Sequence, residues 1–161
     1  MGVGKTEVGK LLAEKLHMTY LDTDEVIEKE QGRLISDIFA KDGEGAFREM
    51  ESKVLKNLAK VKDHVVSTGG GIVLRPDNVK MMKKAGNLVL LWTDPEVVCE
   101  RTKKTSNRPL LNVEDPKSRI KEILAFREPI YRGVADFTVD TSRLSPEEAC
   151  NKILEYIKKA E

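Results

Sequence analysis

The chain has 161 residues, with 28 lysines and arginines against 27 aspartates and glutamates, for a formal net charge of +1. That length suits a single domain spanning residues 1–161 around one sizeable core, and the even charge balance excludes a general nucleic-acid or membrane-surface binder while leaving room for a local basic pocket. An apolar content of 40% excludes disorder, the longest apolar run (residues 88–92) is far short of the roughly 20 residues that span a bilayer, and two cysteines, Cys99 and Cys150, are too few for a disulfide framework and suit a reducing compartment.

The chain opens on Met1-Gly2-Val3-Gly4-Lys5-Thr6, which fits both an N-myristoylation pattern and the second half of a phosphate-binding loop. Val8, Leu11, Leu12 and Leu16 predict an amphipathic helix directly behind it, so the phosphate reading accounts for more of the sequence. Thr19-Tyr20-Leu21-Asp22 predicts a short strand, followed by helical stretches to Gly32 and from Ile35 to Ala40. Phe47, Met50, Val54, Leu58 and Val61 mark one face of a longer helix. The β-branched run from His64 to Ser67 predicts a strand that stops at Gly69-Gly70-Gly71. A basic helix over 76–84 and a buried strand over 88–92 follow. Asp94-Pro95, Asp115-Pro116 and Ser145-Pro146-Glu147-Glu148 each carry the cap-then-proline signature of a helix start, the last with a capping box. A last strand is predicted over 137–139, and Cys150, Ile153, Leu154 and Ile157 form the stripe of the final helix. Strands alternating with helices imply parallel βαβ units, an α/β class, and the long polar connection over 103–114 has the length of a lid or binding loop.

Several residues along this order carry chemistry. In Gly4-Lys5-Thr6, glycines let backbone N–H groups converge on oxyanions at a helix N-terminus, Lys5 reaches the β- and γ-phosphates and Thr6 offers a hydroxyl to Mg²⁺; the alternative is a plain turn entering a helix. Asp22 and Asp24 follow a strand, where ligands bind in an open parallel sheet, and can divide labour between a hydrated metal and a substrate hydroxyl. The alternative is that Asp24 caps the next helix. Ser67-Thr68-Gly69-Gly70-Gly71 sets bare backbone at the same rim, as a ligand wall or as a simple loop. Arg127 falls on the apolar stripe of Ile120, Ile123 and Leu124, and Arg48 lies beside an apolar seam with Glu51 three residues on. From spacing alone, snorkelling or an Arg48–Glu51 ion pair is the preferred reading over two guanidinium forks closing on a carboxylate ligand. Arg101 and Arg108 bracket the lid segment. His17 and His64 lack partners at metal or triad spacing, and the two cysteines read as core thiols.

Taken in order, Gly2-Val3-Gly4-Lys5-Thr6, Leu21-Asp22-Thr23-Asp24, Phe47-Arg48, Ser67-Thr68-Gly69-Gly70-Gly71, Arg108-Pro109-Leu110-Leu111, Arg127 with Tyr131-Arg132, and Val139-Asp140 before Pro146 resemble the shikimate kinase family over essentially the whole chain. The resemblance implies a three-layer P-loop kinase fold, with a five-stranded parallel sheet between helices, a substrate-binding segment over about 23–51 and a lid over about 103–115. It implies transfer of the ATP γ-phosphate to the 3-hydroxyl of shikimate, with Mg²⁺ as cofactor, and it turns the preference on Arg48 and Arg127 toward a carboxylate clamp. Gly69, Gly70 and Gly71 would shape that wall, and Asp24 would orient or deprotonate the attacking hydroxyl. Thr6 would ligate Mg²⁺ directly and Asp22 through water, while Lys5 and Arg108 stabilise the transferring phosphoryl group. Gly2, Val3, Gly4 and Glu7 complete the nucleotide-binding set, and Arg101 and Pro146 would border the adenine. The implied partners are shikimate and ATP alone, with no nucleic acid or membrane, acting on a cytoplasmic monomer. A gluconate- or nucleotide-type kinase and a silent kinase-like binding protein are the alternatives; neither explains the arginine pair beside three glycines with Lys5, Asp24 and Arg108 all retained. The full loop pattern also calls for a further glycine and a launching strand ahead of Met1, so Met1 is expected to be internal to a longer chain, with the central strand among the missing residues.

Overall fold

The computed structural model describes residues 2–102 and 113–160. Helix α1 (Lys5–Leu16) leaves Gly4, whose left-handed φ of 85° suits a residue without a Cβ, and ends at a left-handed His17. Strand β1 (Thr19–Asp22) leads into α2 (Thr23–Gln31), and α3 (Ile35–Leu58) follows. Strand β2 (His64–Ser67) ends at the glycines, a 3-10 turn at Ile72–Leu74 follows, and α4 (Pro76–Ala85) precedes β3 (Val89–Trp92). The remaining elements are α5 (Pro95–Thr102), α6 (Pro116–Val134), β4 (Phe137–Asp140) and α7 (Pro146–Ala160).

The strands form two parallel pairs. Tyr20 lies opposite Val65 in β1–β2, and Leu90 opposite Thr138 in β3–β4. Among the described residues no ladder joins β2 to β3, so these four strands, expected as members of a sheet without its central strand, form two two-stranded sheets. A cavity of about 240 Å³ lies between them, lined by Val65 and Val66 on one side and Leu90 and Leu91 on the other, with Val8 and Leu12 of α1 contributing. The carboxyl ends of both pairs meet at one rim. There the Gly69 N–H donates to Thr23 Oγ1 (3.3 Å), and Thr141 Oγ1 donates to the Val3 carbonyl (3.1 Å). Ligands of open α/β sheets bind at such a rim.

Packing follows the predicted stripes. Val8 and Leu12 of α1 close on Val139 and on Ala149, Cys150 and Ile153 of α7. Each aliphatic side chain buried this way contributes about 1.5–3 kcal/mol. A second cluster joins Ile27 and Ile38 to Phe47 and Val54, with the Phe39 and Phe47 rings 4.9 Å apart. The caps form as the sequence implies: Ser145 and Glu148 exchange backbone-to-side-chain bonds of 2.8 and 3.2 Å, and Asp115 accepts from the Ser118 N–H. Both thiols are buried and free. The two helical stretches expected over 35–61 run together as α3 across a kink at Gly43 (φ 82°, ψ 169°). Val61 falls outside that helix and is 43% exposed, because α3 ends at Leu58 and the chain turns through Ala59. Helix α6 continues past Pro129 to Val134. Pro129 gives up one ladder bond and crowds the Ala125 carbonyl, and the packed face of Ile120, Ile123 and Leu124 holds the helix through it. No helix among the described residues is long and apolar enough to cross a membrane.

Candidate active site

The first half of the rim is built on the chain's opening turn. Gly2 and Gly4 both have positive φ (60° and 85°), and α1 begins without a side-chain cap, the arrangement in which a helix N-terminus receives an anion. The loop is held from below by the buried Val3 and from the side by Arg101. That guanidinium donates to the Gly2 carbonyl (3.3 Å) and the Thr141 carbonyl (3.2 Å). Lys5 is half-buried, Thr6 and Glu7 are exposed in the first turn, and Pro146 opens α7 close in sequence to Thr141. Arg108, with Pro109, Leu110 and Leu111, lies outside the described residues.

The second half is an acidic and basic pocket facing three glycines. Asp22, not Asp24, caps α2: its Oδ1 accepts from the Asp24 N–H (2.9 Å) and its Oδ2 from the Tyr20 hydroxyl (3.3 Å). With the cap supplied by its neighbour, Asp24 turns inward, and its Oδ1 is buried with no hydrogen-bond partner. Burial and the Asp22 charge push its carboxyl above the ordinary aspartate value, and Lys5 and Arg48 only partly offset them. Arg48, 9% exposed, binds Glu51 Oε2 through Nη1 (2.6 Å) and Glu44 Oε1 through Nη2 (2.8 Å). The ion pair expected from spacing therefore exists, and it sits within the site. Glu51 is fully buried, its Oε1 has no partner, and burial raises its carboxyl although Arg48 pulls the other way.

Each glycine makes room for a different side chain. A Cβ on Gly69 would lie 2.9 Å from Glu51 Oε1 and 3.1 Å from Asp24 Oδ1. On Gly70 it would lie 2.6 Å from the Tyr131 hydroxyl and 3.8 Å from Arg127 Nη1, and on Gly71 it would collide with the Arg48 guanidinium. Asp24, Arg48, Glu51, Arg127 and Tyr131 thus converge on one strip of bare backbone. Among the described residues Arg127 makes no ion pair although it is only 9% exposed, and the Glu51 carboxylate acts on it through space alone. A desolvated guanidinium without an ion-pair partner is matched to an anion from outside the protein. Gly71→Ala probes Arg48 without backbone strain, because φ at Gly71 is −85° and the obstacle is the Arg48 guanidinium. Displacing Arg48 breaks its pair with the buried Glu51, so the variant should lose melting temperature and raise the KM for an anionic substrate by about tenfold or more. Steady-state kinetics with calorimetry checks this.

The structure brings together Asp24, Arg48, Arg127 and the glycines, as the motifs lead one to expect. Two further residues join them. Glu51 figures in the sequence only as an ion-pair partner, and its i+3 spacing from Arg48 is the signal that points to it. Tyr131 appears in the sequence only beside Arg127 in the motif set, and nothing along the chain announces its contact with Gly70.

A glycine-flanked loop entering a helix, a lysine at its end, and a carboxylate with two buried arginines across the rim define a phosphate-loop phosphotransferase acting on a small anionic acceptor. The shikimate kinase family model matches residues 1–158, and the chain belongs to that family. It is 51% identical over 154 residues to a shikimate kinase of Thermodesulfovibrio yellowstonii, covering 96% of this chain and 88% of that protein. It is 45% identical over 159 residues to one from Caldanaerobacter subterraneus, covering 98% and 92%. Among solved structures, the Acinetobacter baumannii shikimate kinase in complex with shikimate superimposes with a TM-score of 0.96 at 40% identity, over 100% of this chain and 90% of that one. The Aquifex aeolicus shikimate kinase gives 0.86 at 36% identity, over 99% and 93%.

Proposed function

We infer that this chain transfers the γ-phosphoryl group of ATP to the 3-hydroxyl of shikimate, giving shikimate 3-phosphate and ADP. The observation that carries the site assignment is Arg127, a buried guanidinium without an ion-pair partner among the described residues, facing the same glycine strip as Asp24. Arg127 and Arg48 bind the acceptor carboxylate, with Arg48 held by Glu51 and Glu44. Asp24 accepts hydrogen bonds from the ring hydroxyls and takes the proton of the attacking one, a role its raised basicity suits. Gly69, Gly70 and Gly71 form the wall behind the acceptor. Backbone N–H groups from Gly2, Val3 and Gly4 to Thr6 and Glu7 cradle the phosphates, and Lys5, with Arg108 from the lid segment over about 103–115, neutralises the transferring phosphoryl group. Arg101 and Pro146 border the adenine.

The Thr6 hydroxyl and the Asp22 carboxylate are hard oxygen donors. That set fits Mg²⁺, which keeps waters and takes much of its shell from substrate phosphates. When bound, Mg²⁺ offsets charge on the phosphate oxygens; Thr6 would hold it directly and Asp22 through water. The protein is taken to be one domain that works as a cytoplasmic monomer, a compartment its two free buried thiols suit.

A coupled ADP-release assay with Mg-ATP decides the acceptor. Turnover is expected with shikimate and not with gluconate or nucleoside monophosphates. A folded chain showing no shikimate-dependent turnover would overturn the assignment.

A further inference from the structure

Tyr131 joins the two halves of the rim. Its hydroxyl donates to the Gly70 carbonyl at 2.8 Å, across 61 residues of sequence. Its ring packs against the buried cluster of Val3, Trp92, Val98, Cys99, Ile120 and Leu124. Val3 belongs to the opening turn, and its carbonyl is bonded to Thr141. The ring is therefore braced on the phosphate-loop side while its tip grips the glycine wall. The next residue packs on the same cluster, since the Arg132 guanidinium lies 5.2 Å from the centroid of the Trp92 ring. Tyr131 stands one helical turn after Arg127 on the same side of α6, so both side chains reach Gly70.

We propose that Tyr131 is a positioning residue for the acceptor, a rigid strut that sets how far the wall at Gly70 stands from the phosphate loop; this rests on the reading of residues 69–71 as the acceptor wall. Three glycines in succession have no side chains to fix their own path, so their position must be imposed from outside. A tyrosine suits that task because its ring has few rotatable bonds and its single polar atom lies at the far end. In-line phosphoryl transfer is sensitive to displacements on the order of 1 Å.

Tyr131→Phe keeps the ring and removes the grip. It should raise the shikimate KM by about three- to tenfold, the worth of one hydrogen bond, while the ATP KM stays within about twofold. Gly70→Ala supplies a second readout. Its Cβ would meet the Tyr131 hydroxyl at 2.6 Å, but once that oxygen is gone the nearest ring atom is at 3.6 Å, an ordinary contact. The double variant Gly70→Ala/Tyr131→Phe should therefore bind shikimate better than Gly70→Ala alone, a reversal that loss of packing would not produce. If Gly70→Ala alone fails to fold, the KM split of Tyr131→Phe decides: a rise confined to shikimate supports the strut, and its absence overturns it. An unchanged shikimate KM in Tyr131→Phe, a parallel rise in both KM values, or equal impairment by Gly70→Ala with and without Tyr131→Phe would overturn the proposal. Parent protein without shikimate turnover would instead overturn the functional reading on which it rests.

Discussion

Asp24→Asn is expected to lower kcat by about 10²–10⁴-fold and, at the same time, to make the folded protein more stable near neutral pH. The loss follows from removing the group that takes the hydroxyl proton. The gain follows from the same burial that tunes it. The Asp24 carboxyl is raised above its ordinary value by burial first and by Asp22 second, so the folded state holds this proton more tightly than the unfolded chain does. Its contribution is therefore most favourable below the ordinary aspartate range, and it is lost as pH climbs through the raised folded value. Asparagine has no charge to desolvate and leaves Asp22 without a like-charged neighbour. Denaturant midpoints should separate the two proteins at about pH 8 and converge at about pH 4. Glu51 is raised in part by the Asp24 charge, so Asp24→Asn relieves some of that shift too and adds to the gain in the same direction. A kcat loss below about tenfold would remove Asp24 from the proton-transfer role.

Arg127→Ala should raise the shikimate KM by roughly 10²–10⁴-fold and leave the ATP KM within about twofold, since losing one partner of a desolvated charge pair costs about 3–5 kcal/mol. The two arginines should differ. Arg48 is already bound by Glu51 and Glu44, so truncating it strands the buried Glu51 carboxylate and should destabilise the free protein. Arg127 has no such ion pair among the described residues, so its loss should appear in acceptor binding with the melting temperature of the free protein held. Arg127→Lys should restore only part of the affinity, because an ammonium cannot grip a carboxylate with two parallel bonds. Shikimate titrations of both variants, alongside thermal melts, test the distinction. An unchanged KM in Arg127→Ala would take Arg127 out of the clamp.

The elements are legible in the sequence because their signals are local. The spacing of Val8, Leu12 and Leu16, the proline after Asp115, and the Ser145–Glu148 box each act over one or two turns, and each is realised where the spacing places it. Local signals also mislead where the chain leaves a helix. Val61 continues the stripe begun at Phe47, but the helix has ended, and periodicity carries no information about where a turn intervenes. Strand pairing is less legible still. The strand segments are visible, yet which of them pair, β1 with β2 and β3 with β4, depends on which edges meet.

Residue identity and short-range spacing are enough for the α/β class, the phosphate loop before α1, and an ordered set of motifs that resembles one kinase family. A linear chain displays such features directly. Only in the folded chain does Asp22 rather than Asp24 cap α2, does the Arg48–Glu51 pair lie inside the site, and is Arg127 buried without an ion pair among the described residues. The fold also explains why all three glycines are needed, since Glu51 with Asp24, Tyr131, and Arg48 each occupy the space of one absent Cβ. Those facts arise where helices far apart in sequence cross the rim of the strands, and no spacing along the chain encodes the distance between them.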